Sequence, residues 1–137
     1  MTRAVLDTNV LVSGMISEAG NEALVILAVS QSMLLPCFSD GILEEYREVM
    51  FRPKFGFPIE DVESLLAMLR SRGKRFSRLP SRRLSPDPED DKFIACAIAA
   101  KADFLVTGNK KHFPEAQLSG TKVVSAAELL EFITLDL

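Results

Sequence analysis

Polar residues able to do chemistry stand directly after short apolar runs in this chain. Ala4-Val5-Leu6 is followed by Asp7, Thr8 and Asn9, and Phe104-Leu105-Val106 by Thr107, Gly108 and Asn109. Such runs read as buried strands with polar C-terminal ends. In open α/β sheets, ligands bind outside the carboxyl ends of the strands. Two further acidic groups lie between these segments, Glu44-Glu45 with Glu48, and Asp87 with Asp90-Asp91. The plainer reading of Asp7 is a turn residue or helix cap, where Asp, Thr and Asn are common.

At about 100° per helical residue, Ile42, Leu43, Tyr46, Val49 and Met50 share one face. Glu45 falls at the border of that face, within reach of a cleft, whereas Glu44 and Glu48 point away. Asp87 is accounted for as a cap. The helical wheel does not separate Asp90 from Asp91, because the Ala-rich segment that follows is apolar nearly all round. Carboxylates that converge repel one another, and burial worsens this unless some are protonated or a cation sits among them. Hard divalent ions prefer oxygen ligands, so Mg2+ or Mn2+ is the natural occupant. Such an ion polarises a phosphodiester and lowers the pKa of a bound water. There is no Ser–His, Cys–His or lysine arrangement for covalent catalysis, and no Walker or dinucleotide-binding glycine pattern.

The elements that must hold these residues follow from periodicity and punctuation. Arg3 to Asp7 reads as the first strand, followed by a loop marked by Gly14 and Gly20, then a helix from Asn21 to Ser30. Met33 to Phe38 is the second strand, and Pro36 within it suggests an edge or irregular end. Ser39 or Asp40 caps a helix running to about Arg52. Pro58 opens the next helix and Gly73 ends it. Lys74 to Leu79 is a weak strand. Asp87-Pro88 starts a helix running to about Lys101. Asp103 to Thr107 and Lys122 to Val124 are strands, and Ser125 to Glu128 is a capping box. Alternating strands and helices imply a mostly parallel sheet covered on both faces.

The 137 residues suit one domain, and 47% apolar content suits a globular one. No apolar run approaches the roughly 20 residues of a membrane helix, and no signal-peptide pattern opens the chain. Cys37 and Cys96 lack metal-ligand spacing and read as free core thiols in a reducing cytosol, so a cytoplasmic protein is expected. His112 follows two lysines and is expected to be exposed rather than a ligand or base. Net charge is −3, yet Arg70, Arg72, Lys74, Arg75, Arg78, Arg82 and Arg83 form a run without an acid, just before the acids at Asp87–Asp91. A basic stripe beside an acidic cluster suits an enzyme that holds a polyanion and cuts it with metal ions.

Val5-Leu6-Asp7-Thr8-Asn9-Val10-Leu11, Leu43-Glu44-Glu45-Tyr46, Asp87-Pro88-Glu89-Asp90-Asp91-Lys92-Phe93-Ile94-Ala95 and Leu105-Val106-Thr107-Gly108-Asn109 resemble, in order, the four motifs of the PIN domain, named for the PilT N-terminus. The resemblance covers nearly the whole chain and is closest to toxin components of toxin–antitoxin pairs. It implies a three-layer α/β/α sandwich with a parallel sheet in the order 3-2-1-4-5. It also implies a metal-dependent endoribonuclease, a homodimer and, for many members, a cognate antitoxin. Carried over by position, Asp7, Glu45 and Asp91 are the three acids that hold Mg2+ or Mn2+. Asn9 and Thr107 support them, and Asp90 is an acid the site can recruit. The fourth acidic position holds Asn109, whose amide offers an oxygen but no charge. A catalytically weakened RNA- or protein-binding module is therefore the alternative reading. A phospho-accepting receiver domain is disfavoured, because the weak strand from Lys74 to Leu79 lacks an acceptor Asp.

Overall fold

A computed structural model describes residues 1–80, 87–114 and 118–133. In chain order the elements are β1 (Arg3–Leu6), α1 (Thr8–Ile16), α2 (Asn21–Ser30), β2 (Leu35–Phe38), α3 (Asp40–Met50), α4 (Ile59–Arg72), β3 (Lys74–Arg75), α5 (Asp91–Ala100), β4 (Phe104–Val106), β5 (Lys122–Val124) and α6 (Ala126–Leu130). Short 3₁₀ turns lie at Pro53–Phe55, Pro88–Asp90 and Lys110–His112. The five strands form one parallel sheet in the order β3-β2-β1-β4-β5. This is the expected three-layer α/β/α order. The chain runs from β1 out to β3 and then returns to β4, the order that right-handed crossovers over the two faces produce. Accordingly, α5 lies against β1, β2 and β4, while α2 packs against α1, α4 and α6.

The direction of winding reverses between β1 and β4, which are paired from Ala4↔Phe104 to Leu6↔Val106. Such a switch point opens a crevice at the C-terminal ends of the strands, and Asp7 and Thr107 are the residues that stand there. β1 and β4 are buried on both sides, as an interior parallel strand requires.

Three sequence expectations need correction. The stretch after Asp7 is the helix α1 rather than a loop. Its β-branched residues and Gly14 disfavour helix on propensity. Burial of Val10, Leu11 and Val12 overrides that preference, and Gly14 allows α2 to approach: a methyl group there would lie 3.2 Å from Glu22 O. Of the two expectations for Pro36, an edge is excluded because β2 lies between β1 and β3, while Pro36 does stand at the end of β2 that β3 leaves unpaired. Leu35 N donates to Thr2 O at 2.8 Å. Strand alternation then turns the missing N–H of Pro36 to the other side, where β3 has not yet begun. The third strand is only Lys74–Arg75, shorter than expected. Cys37 and Cys96 are free and buried, as read from the sequence. Among the described residues no single helix is long and apolar enough to cross a membrane.

Candidate metal centre at the switch point

Asp7 ends β1 and begins α1, and the local geometry gives it two tasks. Its Oδ1 accepts from Thr8 N at 2.8 Å, so the cap reading is correct. Its Oδ2 accepts from Thr107 Oγ1 at 2.7 Å across the switch point. Thr107 Oγ1 in turn accepts from Asn109 N at 3.0 Å. Asp7 is only 9% exposed. Burial raises its pKa above the ordinary value, Thr107 and Thr8 N lower it, and Glu45 raises it again. Asn9 Oδ1 accepts from Gly108 N at 3.3 Å, tying the β1 and β4 ends together.

Glu45 reaches the same cleft from α3. Ile42, Tyr46 and Met50 bury the face beside it, and Tyr46 Oη donates to Leu6 O at 2.5 Å, one residue before Asp7. Glu44 and Glu48 are exposed, as the wheel required. The side chain of Glu45 is 19% exposed and both its oxygens are engaged. Thr8 Oγ1 donates to Oε2, and Lys92 Nζ donates to Oε1 at 2.8 Å.

On the far side of the cleft stands Asp90, the last residue of the 3₁₀ turn that precedes α5. Its side chain is 15% exposed. Burial, then the charge of Asp7, pushes its pKa up to about 6; His112 opposes this, and Asp87 and Glu45 add to it. Asp90 Oδ2 is buried without a hydrogen-bond partner among the described residues. His112 Nδ1 lies 3.0 Å from that oxygen, within ion-pair distance but without hydrogen-bond alignment. Asp91 opens α5 and is half-buried. Asp87 accepts from Glu89 N at 3.0 Å, as a cap should.

Sequence reasoning missed His112. It is exposed, as expected, yet the turn at Lys110–His112 folds it back onto the site. Its Nε2 lies 3.0 Å from Asn109 Nδ2. Which of the two nitrogens donates depends on the tautomer of the ring. The three-residue spacing from Asn109 was the available signal, since i and i+3 eclipse in a 3₁₀ turn.

Part of the expected basic run has acidic or polar partners. Arg75 pairs with Asp40 at the C-terminal end of β2 (Nε–Oδ1 2.7 Å), and Arg72 bonds Ser32 before that strand starts. Lys74 lies over the Phe76 ring. Arg82 and Arg83 lie outside the described residues.

No three His, Cys, Asp or Glu side chains among the described residues converge as a ready cation cage. The donor set nevertheless fits a hydrated divalent ion, which Mg2+ exemplifies by keeping several waters while using one or two carboxylates. Asp7 and Glu45 lie near enough to Asp90 for their charges to raise its pKa, and the carboxylates keep unused lone pairs.

The family model described as PIN domain matches residues 3–111. The chain belongs to the PIN-domain family. PIN domains are generally nucleases and typically use divalent metals. No curated protein and no solved structure matches the chain.

Proposed function

We propose that this PIN domain is a metal-dependent endoribonuclease that hydrolyses phosphodiesters of single-stranded RNA. The observation that carries the reading is the meeting of acids at the switch point: Asp7 and Glu45 each oppose the ionisation of Asp90, and His112 beside it offsets them only in part. A carboxylate left in that state is relieved by a cation. Asp7 and Asp90 hold the ion in this reading, and Glu45 is the third acid of the rim. Asp90 thus takes the place that positional resemblance gave to Asp91.

A divalent ion there supplies polarisation of the phosphodiester and acidification of a bound water. The chain's own residues do the rest. Thr8 N and Thr107 Oγ1 fix both oxygens of Asp7, so its orientation is set before substrate arrives. Asn9 and Asn109 tie the loop after β4 to the same rim. RNA as substrate, the toxin role, a homodimer and an antitoxin partner are supported by the family resemblance alone and are proposed on that basis.

Asn109 motivates a second reading, a PIN fold with weakened catalysis. Its amide lies against His112 and brings no charge to the fourth acidic position. One assay tests both readings: cleavage of single-stranded RNA in Mg2+ or Mn2+ by wild type, Asp7→Asn and Asn109→Asp. The nuclease reading expects Asp7→Asn to lower the rate by at least about a hundredfold. Wild type and Asp7→Asn equally inert in every metal would sink it. An inert wild type with cleavage restored by Asn109→Asp would establish the second reading.

A further inference from the structure

The foot of the sheet carries a hollow that the nuclease reading does not use. Its volume is about 360 Å³, within the range of small-ligand sites. Lys101, Asp103, Phe104, Lys122 and Phe132 are among its walls. A further hollow of about 450 Å³, beside Met1 and Thr2, shares Asp103, Phe104 and Phe132. Phe132 is 57% exposed, although its ring leans on Phe104 with centroids 4.9 Å apart. Lys122 is the register neighbour of Phe104 across β4 and β5, so both side chains leave the same face of the sheet. Lys101 and Lys122 are exposed, and among the described residues neither ammonium has an ion-pair or hydrogen-bond partner. Asp103 Oδ2 accepts from Arg3 N at 2.9 Å, which steadies that carboxylate. Lys101 ends α5 at φ 49°, in the left-handed region. Glycine would end the helix there with less strain, so the fold does not call for lysine.

We propose that this hollow is a ribonucleotide-binding site, separate from the acidic rim: the base stacks on Phe132, the phosphate lies against Lys101 and Lys122, and the ribose hydroxyls donate to Asp103. An exposed aromatic ring offers a stacking face to any base. Two unpaired ammonium groups attract a phosphate as point charges that need no fixed geometry. An ionised carboxylate only accepts, so it selects a donor. The 2′-hydroxyl is the donor that a ribonucleotide has and a deoxyribonucleotide lacks. The same carboxylate repels phosphate, which keeps the phosphate on the lysine side and sets the direction of the ligand. Phe104 and Thr107 are three residues apart in extended chain, about 10 Å, so the hollow is distinct from the cleft at Asp7. The inference stands whether or not the rim cleaves RNA. A free mononucleotide and one residue of an RNA chain share the chemistry that the hollow would recognise.

The test is calorimetry and NMR chemical-shift mapping of the full chain, without divalent metal. The probes are adenosine 5′-monophosphate, its 2′-deoxy analogue and a single-stranded adenylate hexamer. Adenosine 5′-monophosphate should bind with a Kd below about 1 mM and move the amide signals of Lys101, Phe104, Gly120, Lys122 and Phe132. The 2′-deoxy analogue should bind about fivefold more weakly. Phe132→Ala should weaken binding about tenfold, and Lys122→Gln about threefold. Lys101→Gly should also weaken it about threefold, yet leave the melting temperature equal or higher, because glycine suits that backbone. Lost binding in that variant is therefore not a damaged fold, and it decides the matter should Phe132→Ala fail to fold. With the same signals moving, tighter binding of the hexamer than of the mononucleotide supports the site as one for an RNA chain. Equal or weaker binding of the hexamer supports it as one for a free nucleotide. No saturation by about 5 mM mononucleotide, shifts confined to the rim around Asp7 and Asp90, equal affinity for the 2′-deoxy analogue, or unchanged affinity in Lys101→Gly and folded Phe132→Ala would overturn the inference.

Discussion

The two ends of the sheet treat polar groups in opposite ways. At the foot, where the strands begin, Arg3, Asp103 and Thr121 find backbone partners. Arg3 Nη1 donates to Ala100 O at 2.8 Å, Asp103 Oδ2 accepts from Arg3 N at 2.9 Å, and buried Thr121 Oγ1 donates to Ala102 O at 2.7 Å. At the rim, carboxylates from β1, α3 and the turn before α5 face one another, and one buried oxygen has no hydrogen bond. Satisfied buried polar groups hold a fold together, whereas unsatisfied ones work against it. The same sheet therefore carries a stabilising end and a strained end, and the strained end coincides with the topological switch point.

Damage at the foot should cost stability, while neutralising the rim should increase it. The largest effect is expected at Gly73, which precedes β3. Its φ of −105° is ordinary, so the glycine is needed for close approach rather than for conformation. A methyl there would meet Pro36 O, and would lie 2.7 Å from both Leu69 O and Phe38 Cε1. Two of these atoms are backbone and cannot swing away. Gly73→Ala should destabilise the chain by about 3 kcal/mol in urea unfolding. A loss below about 0.5 kcal/mol would show that the foot is looser than drawn.

A smaller effect of opposite sign is expected at Asp90. Its carboxyl titrates near 6 in the fold against an ordinary value of 3.8. Below the ordinary value it is protonated in both folded and unfolded chains and contributes nothing. As pH rises through the folded value, the fold must hold an ionised carboxylate that water would solvate better, so stability falls. Asp90→Asn should therefore stabilise the metal-free protein by about 1 kcal/mol above pH 6, after discounting for solvent screening. The gain should vanish below about pH 4. Thermal unfolding across that range checks it. Equal melting temperatures for the two chains at every pH would remove the strain argument.

Much of this contrast was legible in the sequence. The apolar runs ending in Asp7 and Thr107 placed both residues at one rim, and they share a hydrogen bond there. The helical period brought Glu45 to the cleft and turned Glu44 and Glu48 outward. Capping chemistry at Asp87 and Ser125 marked true element starts. What escaped depended on tertiary packing or on local pitch. Helix α1 has poor intrinsic propensity and forms because its apolar residues are buried. The wheel left Asp90 and Asp91 unseparated because the segment after them is apolar nearly all round, and the 3₁₀ turn at Pro88–Asp90 takes Asp90 off α-helical pitch. The partners of the basic run were not legible either: Arg75 is paired with Asp40 and Arg72 bonds Ser32.

In the proposed nuclease site Asp7 and Asp90 are the metal-holding pair. Mn2+-dependent cleavage of single-stranded RNA by wild type, Asp90→Asn and Asp91→Asn, measured side by side, tests it most directly. The account predicts a loss of about a hundredfold or more for Asp90→Asn and less than about threefold for Asp91→Asn. A large loss confined to Asp91→Asn would contradict it.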